Sequence, residues 1–316
     1  MEIAIIGTGG VGGYFGAMLA RAGNRVTFLA RGKHLEAMQT NGLLVKSIAG
    51  DFLVRDFRAT STISEMGLAD LVLVCVKAWQ VKEVRSELKT ILHPQSIVIP
   101  LQNGVLAADE LVEVIDRKHV IEGLCRIISK IESPGVINHF GVTPTIVFGE
   151  FDGTTSDRLL AVKQLFDKAD IKSQISANIQ AEIWKKFISI CVSGLLAITK
   201  TNYGELRELP ATRQMMVDIF NEVFLLSQRM GIGIEPGFVD KTVSFIDSFP
   251  PDTTSSLTRD VWEGKPSEIE YQNGTVVRLG QIHGVETPVN RFVYNCILPM
   301  EIKARGLSFS NTFPVN

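Results

Sequence analysis

Three groups of residues have types and spacings that could do chemistry. The first is Gly7-Thr8-Gly9-Gly10-Val11-Gly12, which fits G-x-G-x-x-G directly after the apolar run Glu2–Ile6. In that pattern Gly7 permits a tight turn, Gly9 lets the backbone approach a pyrophosphate, and Gly12 lets helix and strand pack closely. The amides of the helix that begins there would hold the negative phosphates. A glycine-rich turn without a ligand is the plain alternative. The position after a strand, before a helix and at the start of the chain favours the dinucleotide.

The second group selects the dinucleotide. An NAD site usually places Asp or Glu about 20 residues beyond the glycines, on the ribose hydroxyls. Here the apolar run Arg25–Leu29 is followed by Arg31, with Lys33 close behind. A guanidinium suits the extra phosphate of NADP through charge-assisted hydrogen bonds. The expected cofactor is therefore NADP(H), against the alternative of a solvated surface arginine.

The third group consists of cationic and amide side chains. Lys77 ends the apolar run Leu71–Val76, and Asn103-Gly104 follows Ile97–Leu101. Ligands of an open α/β sheet bind outside the carboxyl ends of its strands, where both would stand. Farther on, Trp184-Lys185-Lys186-Phe187 opens a long apolar helix whose packed face would hold Trp184, Phe187, Ile188, Cys191 and Leu195. Lys186 would share its own face with Ile190, Ser193 and Gly194. A lysine looking into such a pocket loses solvation, and its pKa falls toward the range useful for proton transfer. The spacing alone does not choose between Lys185 and Lys186.

Other chemistries lack support. The four cysteines are far apart without a C-x-x-C pair and read as reduced core residues; the five histidines are scattered without metal spacing. No G-x-S-x-G is present, so a hydrolase elbow is absent. A net charge of -2 gives no reason to expect nucleic acid. No stretch approaches the ~18 apolar residues of a membrane span, and the start lacks a signal-peptide pattern, which leaves the cytoplasm as the expected location.

These residues need elements to hold them. At 316 residues the chain suggests about two domains. The first half alternates strand and helix: Glu2–Ile6, Val11–Arg21, Arg25–Leu29, Leu71–Val76 and Ile97–Leu101. Leu71–Val76 is apolar throughout, as for a parallel strand buried on both faces. Between Val120 and Phe148 two extended runs flank Ser133-Pro134-Gly135, which predicts an antiparallel edge to that sheet. From about Ser176 strand signals vanish. Met216, Ile219, Phe220, Val223 and Phe224 follow helical spacing, and Thr287-Pro288 reads as an N-cap with proline at the first helical position. The expected fold is α/β, with an N-terminal Rossmann-type doubly wound domain (residues 1–175) and an all-α C-terminal domain (176–316).

Nearly end to end, the chain resembles the ketopantoate reductase (2-dehydropantoate 2-reductase) family. The resemblance rests on the Gly7–Gly13 run, Arg31, Val76-Lys77-Ala78-Trp79-Gln80 and Leu101-Gln102-Asn103-Gly104. It continues through Trp184-x-Lys186, Asn202-Tyr203-Gly204-Glu205-Leu206, Ser255-Ser256-Leu257-x-x-Asp260 and Pro266-Ser267-Glu268-Ile269. It implies a Rossmann domain followed by a helical domain, with the active site in the cleft between them. It implies that Lys186 donates a proton to a carbonyl oxygen as hydride arrives from nicotinamide, and that Glu268 positions this lysine. Ser256 would contact the substrate carboxylate. Asn103, Lys77 and Glu268 would lie near nicotinamide and substrate.

The implied reaction is NADPH-dependent reduction of ketopantoate to pantoate, a step of pantothenate synthesis. The implied partner is a small 2-oxo acid, and the resemblance leaves room for a homodimer through the helical domain. One departure matters: the family usually has Asn four and eight residues after the lysine, where this chain has Ile190 and Gly194. A pocket without those amides discriminates weakly for a substrate hydroxyl. Another branched 2-oxo acid is therefore a second candidate substrate. An NADP-sensing protein without turnover ranks last, because Lys186 and Glu268 are both present.

Overall fold

The computed structural model describes residues 1–309. The chain divides into two compact units. Residues 1–102 and 106–182 form the first, and residues 103–105 with those from 183 onward form the second.

The first unit begins β1 (Glu2–Ile6), α1 (Gly10–Arg21), β2 (Arg25–Leu29) and α2 (Gly32–Asn41). Three short strands follow: β3 (Leu43–Ser47), β4 (Phe52–Val54) and β5 (Arg58–Thr60). Next come β6 (Ala69–Val74), α3 (Val81–Leu88), β7 (Leu92–Pro100) and α4 (Ala107–Val112). The unit continues with β8 (Glu122–Ser133), β9 (Val136–Gly149), α5 (Asp157–Lys168) and β10 (Lys172–Ile175).

Strands β5-β2-β1-β6-β7 form one sheet in that order, parallel throughout. The chain runs outward from β1 to β5, then returns to β6 on the other side of β1. The strand order therefore reverses between β1 and β6, the place where doubly wound sheets bind ligands. Ile3 and Ile5 of β1 join one apolar core and Ala4 and Ile6 the other, so the strand is buried on both faces. The run Leu71–Val76 is strand only as far as Val74, the end of β6, and the Cys75 amide still donates to the Ile6 carbonyl at 2.8 Å.

The antiparallel hairpin expected between Val120 and Phe148 exists as β8 and β9, but it is not an edge of the parallel sheet. It is the base of a second sheet. β3 pairs with Val136–His139 and β10 with Thr145–Phe148, both parallel to β9. At 14 residues β9 is long enough to take both partners in succession. The bridge Val98–Val120 and the bond from the Ile121 amide to the Val98 carbonyl, at 3.1 Å, link this sheet toward β7. Helix α1 lies against both sheets, which explains a glycine beyond the fingerprint. A Cβ on Gly13 would stand 2.6 Å from Ile137 of β9.

The second unit contains no strand among its described residues. The division at residues 182–183 falls inside α6 (Ile179–Ile190). Then follow α7 (Ser193–Thr199), α8 (Tyr203–Glu208), α9 (Pro210–Arg229) and α10 (Phe238–Asp247). The last three helices are α11 (Ser256–Trp262), α12 (Asn273–His283) and α13 (Pro288–Ala304). Met216, Ile219, Phe220 and Val223 of α9 are fully buried, as their spacing predicts.

Pro288 does open α13 after Thr287, but the Thr287 hydroxyl makes no cap hydrogen bond. The carboxylate of Glu222, from α9, accepts from the amides of Val289 (2.8 Å) and Asn290 (3.0 Å) instead. An anion at a helix N-terminus offsets the macrodipole, and here a distant helix supplies it.

Candidate active site

In the first unit the sequence-predicted turn joins β1 to α1. Gly7 has φ +100°, and a Cβ there would stand 2.8 Å from Val76, so only glycine fits at the crossing from β1 to the end of β6. A Cβ on Gly12 would stand 2.1 Å from the Gly7 carbonyl oxygen, the close helix–strand approach the pattern predicts. Gly9, the N-cap of α1, has no atom within 4 Å of where its Cβ would point. The first turn of α1 carries no acidic residue. This open backbone at a helix N-terminus could hold a pyrophosphate, with Gly10 and Val11 supplying the first helical amides. Thr8 faces the other way: its amide and hydroxyl both donate to the Leu29 carbonyl, at 3.1 and 2.9 Å.

Arg31 stands exposed just past β2, at the N-cap of α2. Lys77 follows β6 and caps a short 3-10 turn (Ala78–Gln80), with its amide donating to Gln80 Oε1 at 3.3 Å. Its ammonium lies 6.0 Å from the Trp79 ring centre. Gln102 secures the end of this region by donating to the Val74 and Val76 carbonyls, at 2.9 and 3.0 Å.

In the second unit Lys186, Asn103 and Glu268 form one chain. Lys186 Nζ donates to Asn103 Oδ1 at 2.9 Å, and Asn103 Nδ2 donates to Glu268 Oε2 at 3.0 Å. The amide is therefore oriented, with oxygen toward the ammonium and nitrogen toward the carboxylate. Asn103 reaches this place because Gly104 adopts φ +100°, and a Cβ there would stand 2.8 Å from the Tyr271 carbonyl oxygen. Glu268 is 4% exposed. Its backbone carbonyl accepts from the amides of Tyr271 and Gln272, both at 3.0 Å.

The structure separates the two candidate lysines. Lys185 pairs with Glu235 at 3.0 Å and lies 5.6 Å from the Phe238 ring centre. The Glu235 carboxyl is held down to about 2, by a backbone hydrogen bond first and by Lys185 next. Both lysines are half-buried, and Lys186 is the one that meets Asn103. On the packed face, Trp184, Phe187, Ile188, Cys191 and Leu195 are all buried.

The face assigned to Lys186 needs correction beyond Ile190. Helix α6 ends at Ile190, two turn residues follow, and Gly194 belongs to α7, so the helical count does not continue to it. A Cβ on Gly194 would stand 2.5 Å from Val293 Cγ1 and 2.8 Å from Asn273 Oδ1. Gly194 packs against α12 and α13 rather than extending the lysine's face. Ser193 is buried too, with its carbonyl accepting from Thr258 Oγ1 at 2.9 Å.

Ser256 is exposed at the first position of α11 and takes no part in the Lys186–Asn103–Glu268 chain. The adjacent Ser255 does the capping, accepting from the Thr258 amide at 3.1 Å. Sequence reasoning also passed over Glu301 and Arg305, which grip Ser267 beside Glu268. Their i, i+4 spacing reads as an ordinary surface pair, and only the fold shows the buried partner. All four cysteines are free, and the described residues hold no His/Cys/Asp/Glu group able to bind a metal. No described helix is long and apolar enough to cross a membrane.

A Rossmann-type strand order, an open glycine turn and a helical unit with a lysine held by an oriented amide define the class. The chain belongs to the ketopantoate reductase PanE/ApbA family: residues 3–153 match that family's model and residues 178–301 match that of its C-terminal domain. A 2-dehydropantoate 2-reductase of Nostoc is 30% identical over 93% of both chains. An uncharacterised oxidoreductase of Bacillus subtilis, YkpB, is 28% identical over 93% of this chain and 97% of its own. A PanE/ApbA family ketopantoate reductase of Ralstonia eutropha superposes with a TM-score of 0.89 at 31% identity, covering 96% of this chain and all of the other.

Proposed function

We propose that this protein is an oxidoreductase that reduces the 2-carbonyl of a small 2-oxo acid with NADPH, ketopantoate to pantoate being the leading case. The observation that carries the reading is the Lys186–Asn103–Glu268 hydrogen-bonded chain. NADPH, when bound, supplies the hydride for the carbonyl carbon. Lys186 gives its proton to the carbonyl oxygen, so an alcohol forms rather than an alkoxide. Asn103 has no proton to lose in this range; it holds the ammonium in one rotamer. Glu268 holds the amide in one orientation, with its oxygen toward the ammonium.

The glycine turn and the exposed Arg31 support a phosphate-rich dinucleotide, with Arg31 choosing NADP over NAD. Lys77 and Ser256 are proposed as contacts to nicotinamide and substrate carboxylate, as in the family. A cytoplasmic location belongs to the same proposal, as does a homodimer through the helical domain. Exposed Ile282 and Phe292 offer apolar surface for that dimer.

A second substrate reading rests on one observation. Ile190 is half-buried one turn after Lys186, and Gly194 is closed off by Val293 and Asn273. Neither offers an amide to a substrate hydroxyl, which favours branched 2-oxo acids that lack one.

The test is to mix the intact protein with NADPH and a panel of 2-oxo acids, following cofactor oxidation and the product by chromatography. The expected result is NADPH consumption with formation of the 2-hydroxy acid, ketopantoate among the substrates turned over. No consumption with any member of the panel would overturn the reading.

A further inference from the structure

We propose that Glu301 is a positioning residue for the reaction, acting on Lys186 through Ser267, Glu268 and Asn103; this rests on the reading of Lys186 as the proton donor. Glu301 lies in the last turns of α13 and is 2% exposed. Its carboxylate takes three hydrogen bonds from Ser267: the amide at 3.1 and 2.9 Å and the hydroxyl at 2.7 Å. Arg305 completes the bracket. Its Nε donates to Glu301 Oε1 at 2.6 Å, and its guanidinium also donates to the Ser267 carbonyl at 3.3 Å. The amide, the carbonyl and the hydroxyl of Ser267 are thus all held by α13.

Ser267 directly precedes Glu268, so fixing its backbone fixes where the Glu268 side chain begins. The Ser267 hydroxyl also accepts from the Ile269 amide at 3.4 Å, on the far side of Glu268. The bracket therefore spans the residue that holds Asn103. An ion pair with one buried partner, here Glu301 with half-buried Arg305, is a poor device for stability alone, because desolvation offsets much of the attraction. Its use is more apt where a side chain must stand within a few tenths of an ångström, since a misplacement of about 1 Å can cost 10²-fold in rate.

The test is a double-mutant cycle in the full chain. Glu301→Gln keeps the shape of the side chain but loses one of its two accepting oxygens and its charge. It should lower kcat by about 3- to 30-fold, with KM for the oxo acid changing less. NADPH affinity should stay within twofold, because the glycine turn is built without α13. Glu268→Ala, which removes the acceptor of the Asn103 amide, should lower kcat by at least as much. In the Glu268→Ala background, adding Glu301→Gln should then change kcat by less than about twofold, because its route to Lys186 is already cut.

Multiplying effects in the double variant would show a general structural role and overturn the proposal. So would a Glu301→Gln enzyme whose kcat stays within twofold of the parent. If Glu301→Gln folds poorly, Ser267→Ala removes the 2.7 Å bond to Glu301 and the long 3.4 Å bond from Ile269, leaves the Ser267 backbone bonds in place, and is read in the same cycle. The parent and Lys186→Ala run alongside. If Lys186→Ala keeps the parent's kcat, the proton-donor reading fails; if it loses kcat while the cycle is additive, only the role of Glu301 fails.

Discussion

The glycine turn of the first unit and the lysine site of the second are built in opposite ways. The turn takes its glycines from one run, Gly7 to Gly12, and its geometry follows from absent side chains. The lysine site takes Lys186, Asn103 and Glu268 from positions 83 and 165 residues apart, and its geometry follows from present ones. A backbone cradle is set by local conformation and tolerates no added atom. A side-chain chain is set by packing and needs every link. The two should therefore fail separately under mutation, one losing cofactor affinity and the other losing rate.

The largest effect should come from the second unit. Lys186→Ala should lower kcat by about 10²–10⁴-fold, the usual worth of a positioned acid. NADPH affinity measured by cofactor fluorescence should barely change. Lys185→Ala, which breaks only the pair with Glu235, should leave kcat within a few-fold. A parallel loss of kcat and NADPH affinity in Lys186→Ala would mean that the two regions are not separable.

Next in size is a contrast between buried carboxylates. Glu268 is paired through Asn103, whereas Glu122 of β8 has Gln180 on one oxygen and no hydrogen-bond partner among the described residues on the other. Burial first, and Asp109 second, push the Glu122 carboxyl up to about 7 from an ordinary 4.5. The folded protein thus binds this proton more tightly than the unfolded chain. The contribution to stability is fully present below about pH 4.5 and is lost as pH rises through 7. Glu122→Gln should remove that dependence and gain up to about 3 kcal/mol above pH 8, read by urea melts at several pH values. A Glu122→Gln protein with the parent's pH–stability curve would contradict this.

Cofactor choice comes third. Arg31→Ala should erase roughly ten- to hundredfold of the preference for NADPH over NADH, from about 1.5–3 kcal/mol of charge-assisted bonding. Its kcat at saturating NADPH should hold. Equal use of NADH and NADPH by the parent would remove the role of Arg31 altogether.

The smallest effect concerns the substrate. The parent should reduce 2-oxoisovalerate with kcat/KM within about a hundredfold of that for ketopantoate. Ile190→Asn should shift the ratio a few-fold toward ketopantoate. Gly194→Asn should instead cost stability, about 1–3 kcal/mol, because its Cβ meets Val293 and Asn273. Rejection of 2-oxoisovalerate on the order of 10⁴-fold would mean that another residue reads the hydroxyl.

What the sequence showed follows the same divide. β1, α1 and β2 and the glycine turn were legible because strand, turn and helix signals lie within 30 residues. Short β4 and β5, three residues each, carry no periodicity to detect. The second sheet was missed because β3 and β10 are recruited by the length of β9, which no local pattern encodes. The face of Lys186 was extrapolated past the end of α6, where helical spacing no longer applies. Asn103 was marked by its place after the end of a strand, whereas Glu268 entered only through family resemblance. Glu301 and Glu222 were invisible because their partners lie 34 and 67 residues away.

Chemical rescue of Lys186→Ala tests the central claim most directly. The variant is assayed with NADPH and its best 2-oxo acid while small alkylammonium ions are added at fixed ionic strength. If Lys186 is the proton donor, the rate should rise in proportion to the ammonium concentration, and donors of lower pKa should rescue better at equal size. Ions without a transferable proton, such as tetramethylammonium, should do nothing. A variant that keeps the parent's rate, or one that tetramethylammonium restores as well as methylammonium, would contradict proton donation by Lys186.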